Sequence, residues 1–310
     1  MPIGITTELI SKYNISGNNF VEFNDVQSLL PKRKKASYKY SNGKVLVIGG
    51  SKGLSGSIMM SSYSAVKSGS GGVAAAIPES IARSFNKKLY EIMTVELHEN
   101  EEGSISPDSF SKIKKRMDWA DAVLIGPGIS LNESVKRFVF DVIKNCNKPL
   151  VIDADGLNQL SKDISVLNIR NHNNEIILTP HLGEFSRLSG IPVKEIELNR
   201  FKCASDFAKK YNVNIVLKSE TTFSCAIGGK IFINPTGNEA LGTAGTGDVL
   251  SGIIVSMLAQ TSNAESAMIC GNYIHGLCAD IYYSKNGNKQ TASPGDIIKN
   301  IPEAVSITMK

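Results

Sequence analysis

The sequence predicts an α/β protein in which a doubly wound, mostly parallel β-sheet carries helices on both faces and an antiparallel hairpin at one edge. Runs of four to six apolar residues are continuous rather than alternating, which suits strands buried on both faces. Each run ends at Gly, Pro, Asp or His and is followed by a helical pattern. Two later β-rich runs are joined by a glycine pair, which indicates a hairpin. Strands that alternate with helices are typical of a parallel sheet.

The first strand and helix are KVLVIGG (44–50), a short β-rich run that ends in glycine, and SGSIMMSSYSAVKSG (55–69). The second segment has the small and apolar composition of a buried helix, and Gly69 closes it. The same theme returns along the chain in GVAAAIP, DAVLIGPG, PLVIDADG and EIILTPH. Ligands of open parallel sheets bind outside the carboxyl ends of the strands, which is where these runs stop.

The last third of the chain departs from this repetition. NVNIVLKS reads as a further strand, and TTFSCAIGGKIFINP contains two β-runs joined at Gly228 and Gly229, as in a hairpin at a sheet edge. After Gly247 the pattern is helical almost to the C-terminus. No Gly/Ser-rich or Pro-rich linker divides the chain. We therefore predict one domain, residues 41–310, preceded by an N-terminal extension, residues 1–40, that packs on it.

Composition places the 310-residue chain among ordinary globular proteins, with 42% apolar and 20% charged residues. No apolar stretch approaches the ~18 residues of a membrane span, and the N-terminus lacks a signal pattern, so a cytoplasmic protein without membrane contact is expected. Disulfides and a zinc site are not indicated, because the five cysteines are scattered and form no CxxC pair. They are Cys146, Cys203, Cys225, Cys270 and Cys278.

The net charge of +5 is mildly basic, and much of it clusters in PKRKKASYKY. Few aromatic residues lie beside this run and no similar stripe recurs, so a solvated connector is favoured over a nucleic-acid surface. Attraction of anionic small molecules, including nucleotides, is compatible with the charge.

The loop LGTAGTGD opens a helix and has the composition of a phosphate cradle. Glycines let the backbone approach a ligand, and the helix start adds partial positive charge. Asp248 lies just inside this cradle, where a carboxylate is poorly placed to bind phosphate but well placed to take a proton from an attacking hydroxyl. The alternative is an ordinary N-terminal helix cap, which needs no dense run of glycines. The pattern GxxxxGK[ST] of nucleoside triphosphatases is absent.

LTPHLGEF places His181 and Glu184 three residues apart where a helix begins, so both would point into the crevice. Glu184 is a candidate to hold Mg²⁺ through water, and His181 a candidate to hydrogen-bond a substrate amide or phosphate. The alternative is a helix that starts at proline and has an acidic first turn.

Three further strand ends carry polar groups or tight turns. IGPG offers Gly126 and Gly128, and DADGLN offers Asp153 and Asn158, although structural turns would look similar. VLKSETT places Lys218, Thr221 and Thr222 where nucleotide phosphates are expected, although a lone lysine at a strand end is usually solvated. IGGSKGLSGS does not match GxGxxG, which disfavours a nicotinamide Rossmann dehydrogenase.

Taken in order, VIGGSKGLSGS, IGPGIS, VIDADGLN, LTPHLGEF, VLKSETT and NPTGNEALGTAGTGDVLSGI resemble the signatures of the ADP/ATP-dependent NAD(P)H-hydrate dehydratase family, a branch of the ribokinase-like superfamily. The resemblance covers nearly the whole chain, from LLPKRKKASYKYSNGKV to TASPGDIIKNIPEAV. It implies a ribokinase-like fold and a repair enzyme. Such an enzyme dehydrates NADH or NADPH that has been hydrated at C6 of the nicotinamide ring, at the expense of ADP or ATP.

By this resemblance, Asp248 deprotonates the C6 hydroxyl, which attacks the terminal phosphoryl group of the nucleotide, and phosphate then leaves. The anion hole would be formed by Gly245, Thr246 and Gly247. The hydrate pocket would be formed by Ser57, Gly126, Gly128, Asp153, Asn158, His181 and Asp248. The adenine nucleotide, with Mg²⁺ on its phosphates, would contact Lys218, Ser219, Glu220, Thr221, Thr222, Asn238 and Gly247.

Some positions depart from the family pattern. Ser57 replaces the common alanine, Ser219 and Ala244 replace glycines, and Tyr38 replaces histidine. A methyl group at Ala244 requires a negative φ there. The resemblance also implies a separate NAD(P)H-hydrate epimerase as functional partner, a homo-oligomer such as a tetramer, and ADP as the favoured nucleotide.

Two other functions remain open from the sequence. A small-molecule kinase of the same superfamily, acting on a sugar, a thiazole alcohol or a pyridoxal-like substrate, would keep Asp248 and the anion hole. HLGE and DADGLN favour the dehydratase. A nucleotide-sensing protein without turnover is disfavoured by Asp248.

Overall fold

A single mixed β-sheet forms the centre of the molecule in the computed structural model, which describes residues 18–33, 36, 39–170 and 174–310. The described residues form ten strands in the order β1-β10-β9-β8-β7-β6-β5-β2-β3-β4. The strands are β1 (Asn18–Phe20), β2 (Lys44–Ile48), β3 (Gly72–Pro78), β4 (Met93–Leu97), β5 (Ala122–Ile125), β6 (Leu150–Ile152), β7 (Ile176–Leu178), β8 (Asn214–Leu217), β9 (Phe223–Cys225) and β10 (Ile231–Ile233).

All neighbouring strands pair in parallel except β9, which is antiparallel to both β8 and β10. The predicted hairpin is therefore confirmed as β9 and β10, and its turn contains Gly229 at φ 84°. The strand β1 pairs with the outer side of β10 and completes that edge.

Eleven α-helices connect and cover the strands in the part of the chain that the structure describes. They are α1 (Phe23–Leu29), α2 (Ser55–Lys67), α3 (Glu79–Lys88), α4 (Phe110–Trp119), α5 (Glu133–Asn145), α6 (Asp155–Ser161), α7 (Leu182–Ser189), α8 (Val193–Tyr211), α9 (Thr246–Thr261), α10 (Ala264–Asn286) and α11 (Pro294–Thr308). None of these helices is both long and apolar enough to span a bilayer.

The sheet separates two hydrophobic cores, because successive side chains of a strand point to opposite faces. In β2, Val45 and Val47 join the core under α1, α2, α3 and α9 to α11, whereas Leu46 and Ile48 join the core under α4 to α8. Since both faces of β2 are covered, its residues are continuously apolar. The predicted doubly wound arrangement with helices on both faces is confirmed.

The helices α2 and α9 cross in close contact on the first face. A Cβ atom on Gly252 would lie 2.2 Å from the carbonyl oxygen of Ser61, so the two backbones meet at a glycine. The hydroxyls of Ser70 and Ser256 hydrogen-bond at 2.7 Å beside this crossing. Segments 186 residues apart in sequence are thereby joined.

The described part of the N-terminal segment contacts the main sheet and the first core. Val26 and Leu30, in and just after α1, are buried in the core that contains α10. The division into residues 1–40 and 41–310 stays a prediction. Tyr38, Lys34, Lys35 and His172 lie outside the described residues.

Candidate active site

Most of the predicted site residues follow the carboxyl ends of five adjacent parallel strands, β2, β5, β6, β7 and β8, and the others lie between β10 and the first turn of α9. Because parallel strands end at the same edge, the loops after these strands come together in one crevice. The start of α9 reaches this crevice from the first face of the sheet, since α9 packs against β2, β5 and β6.

The backbone geometry explains why the IGPG loop has glycine at two positions. Gly126 has a φ of 126°, and a Cβ atom there would lie 1.9 Å from the carbonyl oxygen of Asp153. Gly128 has a φ of 62°, and its Cβ would lie 2.4 Å from the carbonyl oxygen of Leu54. Backbone packing between three loops therefore requires glycine at both positions. The loop forms a close-packed wall of the crevice.

Asp153, the first polar residue after β6, is the centre of a buried polar network. Its Oδ1 atom lies 3.0 Å from the Lys218 ammonium and accepts a 2.7 Å hydrogen bond from the Thr179 hydroxyl. Asp153 is 1% exposed, so its carboxylate anchors Lys218 rather than presenting a free ligand.

Lys218 stays charged in this network. Burial disfavours its ammonium, but the Asp153 and Glu184 carboxylates outweigh that effect and raise the pKa of Lys218. A Cβ atom on Gly247 would lie 3.4 Å from Lys218 Nζ, which places this cation against the first turn of α9. An anion held at that turn would gain Coulomb energy from Lys218 as well as from the helix N-terminus.

His181 is the N-cap of α7 and forms a capping box with Glu184. Its Nδ1 atom accepts from the backbone N–H of Gly183 at 2.9 Å and of Glu184 at 3.3 Å. Burial, together with the nearby Lys218, lowers the pKa of His181 and keeps the imidazole neutral. Since Nδ1 is the acceptor, the ring proton belongs on Nε2, which makes His181 a hydrogen-bond donor to a ligand.

Glu184 does not fit direct coordination of Mg²⁺. Its Oε2 atom accepts the His181 backbone N–H at 2.8 Å and lies 3.9 Å from the Lys218 ammonium, which repels a second cation. Burial raises the pKa of Glu184 to about 7. No group of three His, Cys, Asp or Glu side chains able to hold a metal occurs among the described residues. The other carboxylate oxygen of Glu184, Oε1, lies 3.6 Å from His181 Nε2.

The first turn of α9 contains the predicted anion hole. Gly245 is the N-cap at φ 97°, and a Cβ atom there would lie 2.7 Å from the terminal methyl of Met60. The Thr246 hydroxyl donates to the carbonyl oxygens of Leu241 and Thr243 at 2.7 and 2.9 Å, which fixes the loop. The N–H groups of a first turn have no intrahelical acceptor, so those of Gly247 and Asp248 are available to an anion.

Asp248 occupies the first turn of α9 but is not its cap, because Gly245 is. Burial raises the pKa of Asp248 to about 7, and the nearby Asp153 carboxylate adds to the shift. A hydrogen bond from the Ser57 side chain opposes the shift. Ser57, which replaces the alanine common in the family pattern, is therefore a neighbour that acts on the Asp248 carboxyl.

The other departures are accommodated by the backbone. Neither Ser219 nor Ala244 is among the described non-glycine residues with positive φ, so both side chains fit without strain there. The Ser219 hydroxyl accepts from Arg200 at 3.0 Å and donates to the Thr221 carbonyl at 2.9 Å. It closes the turn that was expected to contact the nucleotide.

The remaining predicted nucleotide residues lie around the β8–β9 connection and the loop before α9. Glu220 and Thr221 are exposed, and the carbonyl of Thr222 accepts from Asn234 at 3.1 Å. Asn238 donates to Asp280 Oδ1 at 2.8 Å and accepts from the Ala240 N–H at 3.0 Å. Asn158 is bonded to Asp155 and to Arg187, so its amide orients neighbours within the crevice.

Two residues of the site were not found from the sequence. His275 is buried in α10, where the Thr246 backbone influences its titration, and burial lowers the pKa of His275 to about 4. Asp280, five residues later on α10, accepts the Gly237 N–H at 2.9 Å. Both residues lie on α10 and contact the segment that leads into α9. Neither has a sequence signal that distinguishes it from other helical residues.

Residues 45–303 match the family model described as NAD(P)H-hydrate dehydratase. The bifunctional NAD(P)H-hydrate repair enzyme Nnr of Moorella thermoacetica is 35% identical over 276 residues, which are 89% of this chain and 52% of that protein. The ADP-dependent (S)-NAD(P)H-hydrate dehydratase of Bacillus subtilis is 30% identical over 259 residues, 83% of this chain and 87% of that protein.

Solved structures agree with these matches. The ADP/ATP-dependent NAD(P)H-hydrate dehydratase from Bacillus subtilis, co-crystallised with ATP and Mg²⁺, has a TM-score of 0.81 and 28% identity, and covers 94% of this chain and 98% of that one. A hydroxyethylthiazole kinase from Pyrococcus horikoshii, at 17% identity and TM-score 0.57, shares the fold alone. The chain spans about half the length of the bifunctional relatives that it matches.

Proposed function

Because the chain belongs to the NAD(P)H-hydrate dehydratase family, we propose that it converts the S epimer of NAD(P)H hydrate to NAD(P)H at the expense of ADP or ATP. The observation that carries the proposal is the position of Asp248. Its carboxyl, with a pKa of about 7, lies in the first turn of α9, which offers N–H groups to an anion beside the charged Lys218.

Asp248 would act as the general base. It accepts the proton of the C6 hydroxyl as that oxygen attacks the terminal phosphoryl group of the nucleotide, so the oxygen–phosphorus bond forms and the phosphoanhydride bond breaks. A pKa near 7 suits this role, because the group is ionised in a useful fraction at neutral pH and still binds a proton well. The products of this step are a C6 phosphate ester and AMP, or ADP when ATP is used.

The ring nitrogen then expels the phosphate, which takes the C6–oxygen bonding electrons with it, and the dihydronicotinamide is restored after loss of a proton. The first turn of α9 and Lys218 stabilise the charge that spreads over the transferred group. His181, with its donor Nε2, is placed to orient the hydrate. These site assignments, including Ser57, Gly126 and Gly128 as the pocket wall, are part of the proposal.

Mg²⁺ bound to the nucleotide phosphates would neutralise their charge. The described residues offer it no direct ligand set, so we propose that Glu184 contacts the ion through water. The bifunctional names of the relatives support an epimerase activity as functional partner. Action in the cytoplasm, assembly into a homo-oligomer and the lean towards ADP are proposals that rest on the resemblance.

The test is recovery of NADH absorbance from purified hydrated NADH with ADP or ATP and Mg²⁺, for wild type, Asp248→Asn and the control Asp206→Asn. Asp206 is an exposed carboxylate on α8, paired with Lys202. We expect nucleotide-dependent recovery with wild type and the control, and a loss of about 10³-fold or more with Asp248→Asn. If wild type restores no NADH but transfers phosphate to a free hydroxyl of a small molecule, the protein is a kinase instead.

A further inference from the structure

Arg187 lies on α7, one turn after Glu184, at the rim of the crevice. Its Nε–H donates to Asn158 Oδ1 at 2.9 Å. The Asn158 amide group in turn donates to Asp155 Oδ1 at 3.4 Å, and Asp155 Oδ2 accepts the backbone N–H of Ser130 at 3.2 Å. A chain of hydrogen bonds from the β5 and β6 loops therefore orients this exposed guanidinium.

The two terminal nitrogens of the guanidinium, Nη1 and Nη2, make no hydrogen bond to the described part of the protein. A Cβ atom on Gly183 would lie 3.8 Å from Nη1. Nη1 thus points back toward the N-terminus of α7, where the donor His181 lies. Arg187 is also close enough to lower the pKa of both His181 and Glu184.

The carboxyl groups around the crevice repel an anionic ligand, so a cation at its rim favours binding of such a ligand. Asp153, Glu184 and Asp248 contribute carboxyl groups, and the Lys218 ammonium, which lies beside the first two, is assigned in the proposed reaction to the transferred phosphoryl group. A dinucleotide with a diphosphate bridge needs a further cation, and among the described crevice residues Arg187 provides one with free, planar N–H groups. Arginine binds phosphate with two parallel hydrogen bonds, which a lysine cannot copy.

The sheet topology places Arg187 on the side of the crevice where the hydrate pocket is expected. Arg187 is bonded to the loop after β6, toward β5 and the wall of Gly126 and Gly128, whereas the expected nucleotide residues follow β8 on the other side of α7. We propose that Arg187 binds a phosphate of the diphosphate bridge of the hydrated dinucleotide and so selects dinucleotides over mononucleotides. This inference rests on the proposed function.

The experiment compares wild type, Arg187→Gln, Arg187→Lys and the control Arg137→Gln. Arg137 is also an exposed helical arginine, on α5, with a single long ion pair to Asp141 at 4.0 Å. KM for NADH hydrate is expected to rise about tenfold or more in Arg187→Gln and less in Arg187→Lys. KM for ADP, and kcat at saturation, should stay within about twofold of wild type, and the control should change neither.

A second substrate separates the phosphate contact from a general defect. The hydrate of reduced nicotinamide mononucleotide lacks the diphosphate bridge, so Arg187→Gln should change its KM far less. An unchanged KM for NADH hydrate would overturn the proposal, and so would a rise confined to KM for ADP. A rise confined to NADPH hydrate would assign Arg187 to the 2′-phosphate and would also overturn it.

A binding measurement keeps this inference separate from the proposed reaction. Calorimetric titration of NAD⁺, which has the same diphosphate bridge, requires no turnover. Arg187→Gln should bind NAD⁺ about tenfold more weakly than wild type, even if wild type restored no NADH. Equal affinities, or no binding of NAD⁺ by wild type, would contradict the proposal.

Discussion

At the scale of single residues, Asp248 and Ser57 together set the pH above which the proposed base is ionised. Burial raises the pKa of Asp248 to about 7, while the hydrogen bond from Ser57 favours the carboxylate and limits that rise. A protonated Asp248 cannot accept the hydroxyl proton. Activity should therefore be lost as the pH falls through the pKa and reach a plateau above it.

Because the Ser57 side chain lowers the pKa of Asp248, the substitution Ser57→Ala should move this profile. Without the hydroxyl the carboxylate loses a hydrogen bond, so the pKa of Asp248 rises and the rising limb of kcat/KM shifts by about one unit toward higher pH. The measurement is the pH dependence of kcat/KM between pH 5 and 9 for both proteins. Ser134→Ala, on α5 away from α9, serves as the control. A profile that stays in place, or shifts to lower pH, would show that Ser57 does not act on the base.

Single residues were predicted from the sequence only where their neighbours gave a signal. The glycines around Asp248 marked it as functional, because an ordinary cap needs none. The pairing of Lys218 with Asp153 was not predicted, since 65 residues separate them and only the order of β6 to β8 brings them together. His275 and Arg187 lie in helices. The helical pattern predicts which face is buried, but it does not predict any particular contact of a side chain.

At the scale of elements, the N-terminus of α9 depends on one left-handed glycine. Gly245→Ala places a side chain at φ 97°, a conformation that L residues rarely adopt, and its methyl would lie 2.7 Å from the end of the Met60 side chain, which must move. We expect a loss of about 1–3 kcal/mol in the free energy of unfolding and a loss of dehydratase activity larger than stability alone explains.

Gly242→Ala is the matched control, because it is in the same loop, has no positive φ and has no atom within 4 Å of an added Cβ. Urea unfolding and NADH recovery should both stay close to wild type. Equal behaviour of the two variants would show that the loop before α9 is not held in the conformation described.

Strands and helices were predicted correctly where their own sequence shows that they are buried. KVLVIGG, DAVLIGPG and EIILTPH contain strands whose continuous apolar runs reflect cover on both faces. The strand β1, which contains Asn-Asn-Phe, was not predicted, because three residues without alternation become a strand only through pairing with β10.

At the scale of the whole molecule, the N-terminal segment contributes to the main core. Val26→Ala removes two methyl groups from a fully buried site and should cost about 1–3 kcal/mol of unfolding free energy. Val193→Ala, at 37% exposure on α8, is the control and should cost less than about 0.5 kcal/mol. Equal, small effects on urea unfolding would mean that residues 1–40 behave as a dispensable extension.

The crossing of α2 and α9 has a consequence for synthesis in the cell. Ser70 and Ser256 are joined by a hydrogen bond although 186 residues lie between them, and the apolar face of β2 above this crossing is covered by α9. At about 5–20 residues per second, a ribosome needs about 10–40 s to make that interval. During this time the nascent first half exposes the apolar surface that α9 later covers. Chaperones that bind such surfaces should therefore raise the yield of active protein. Premature release of the chain should favour aggregation.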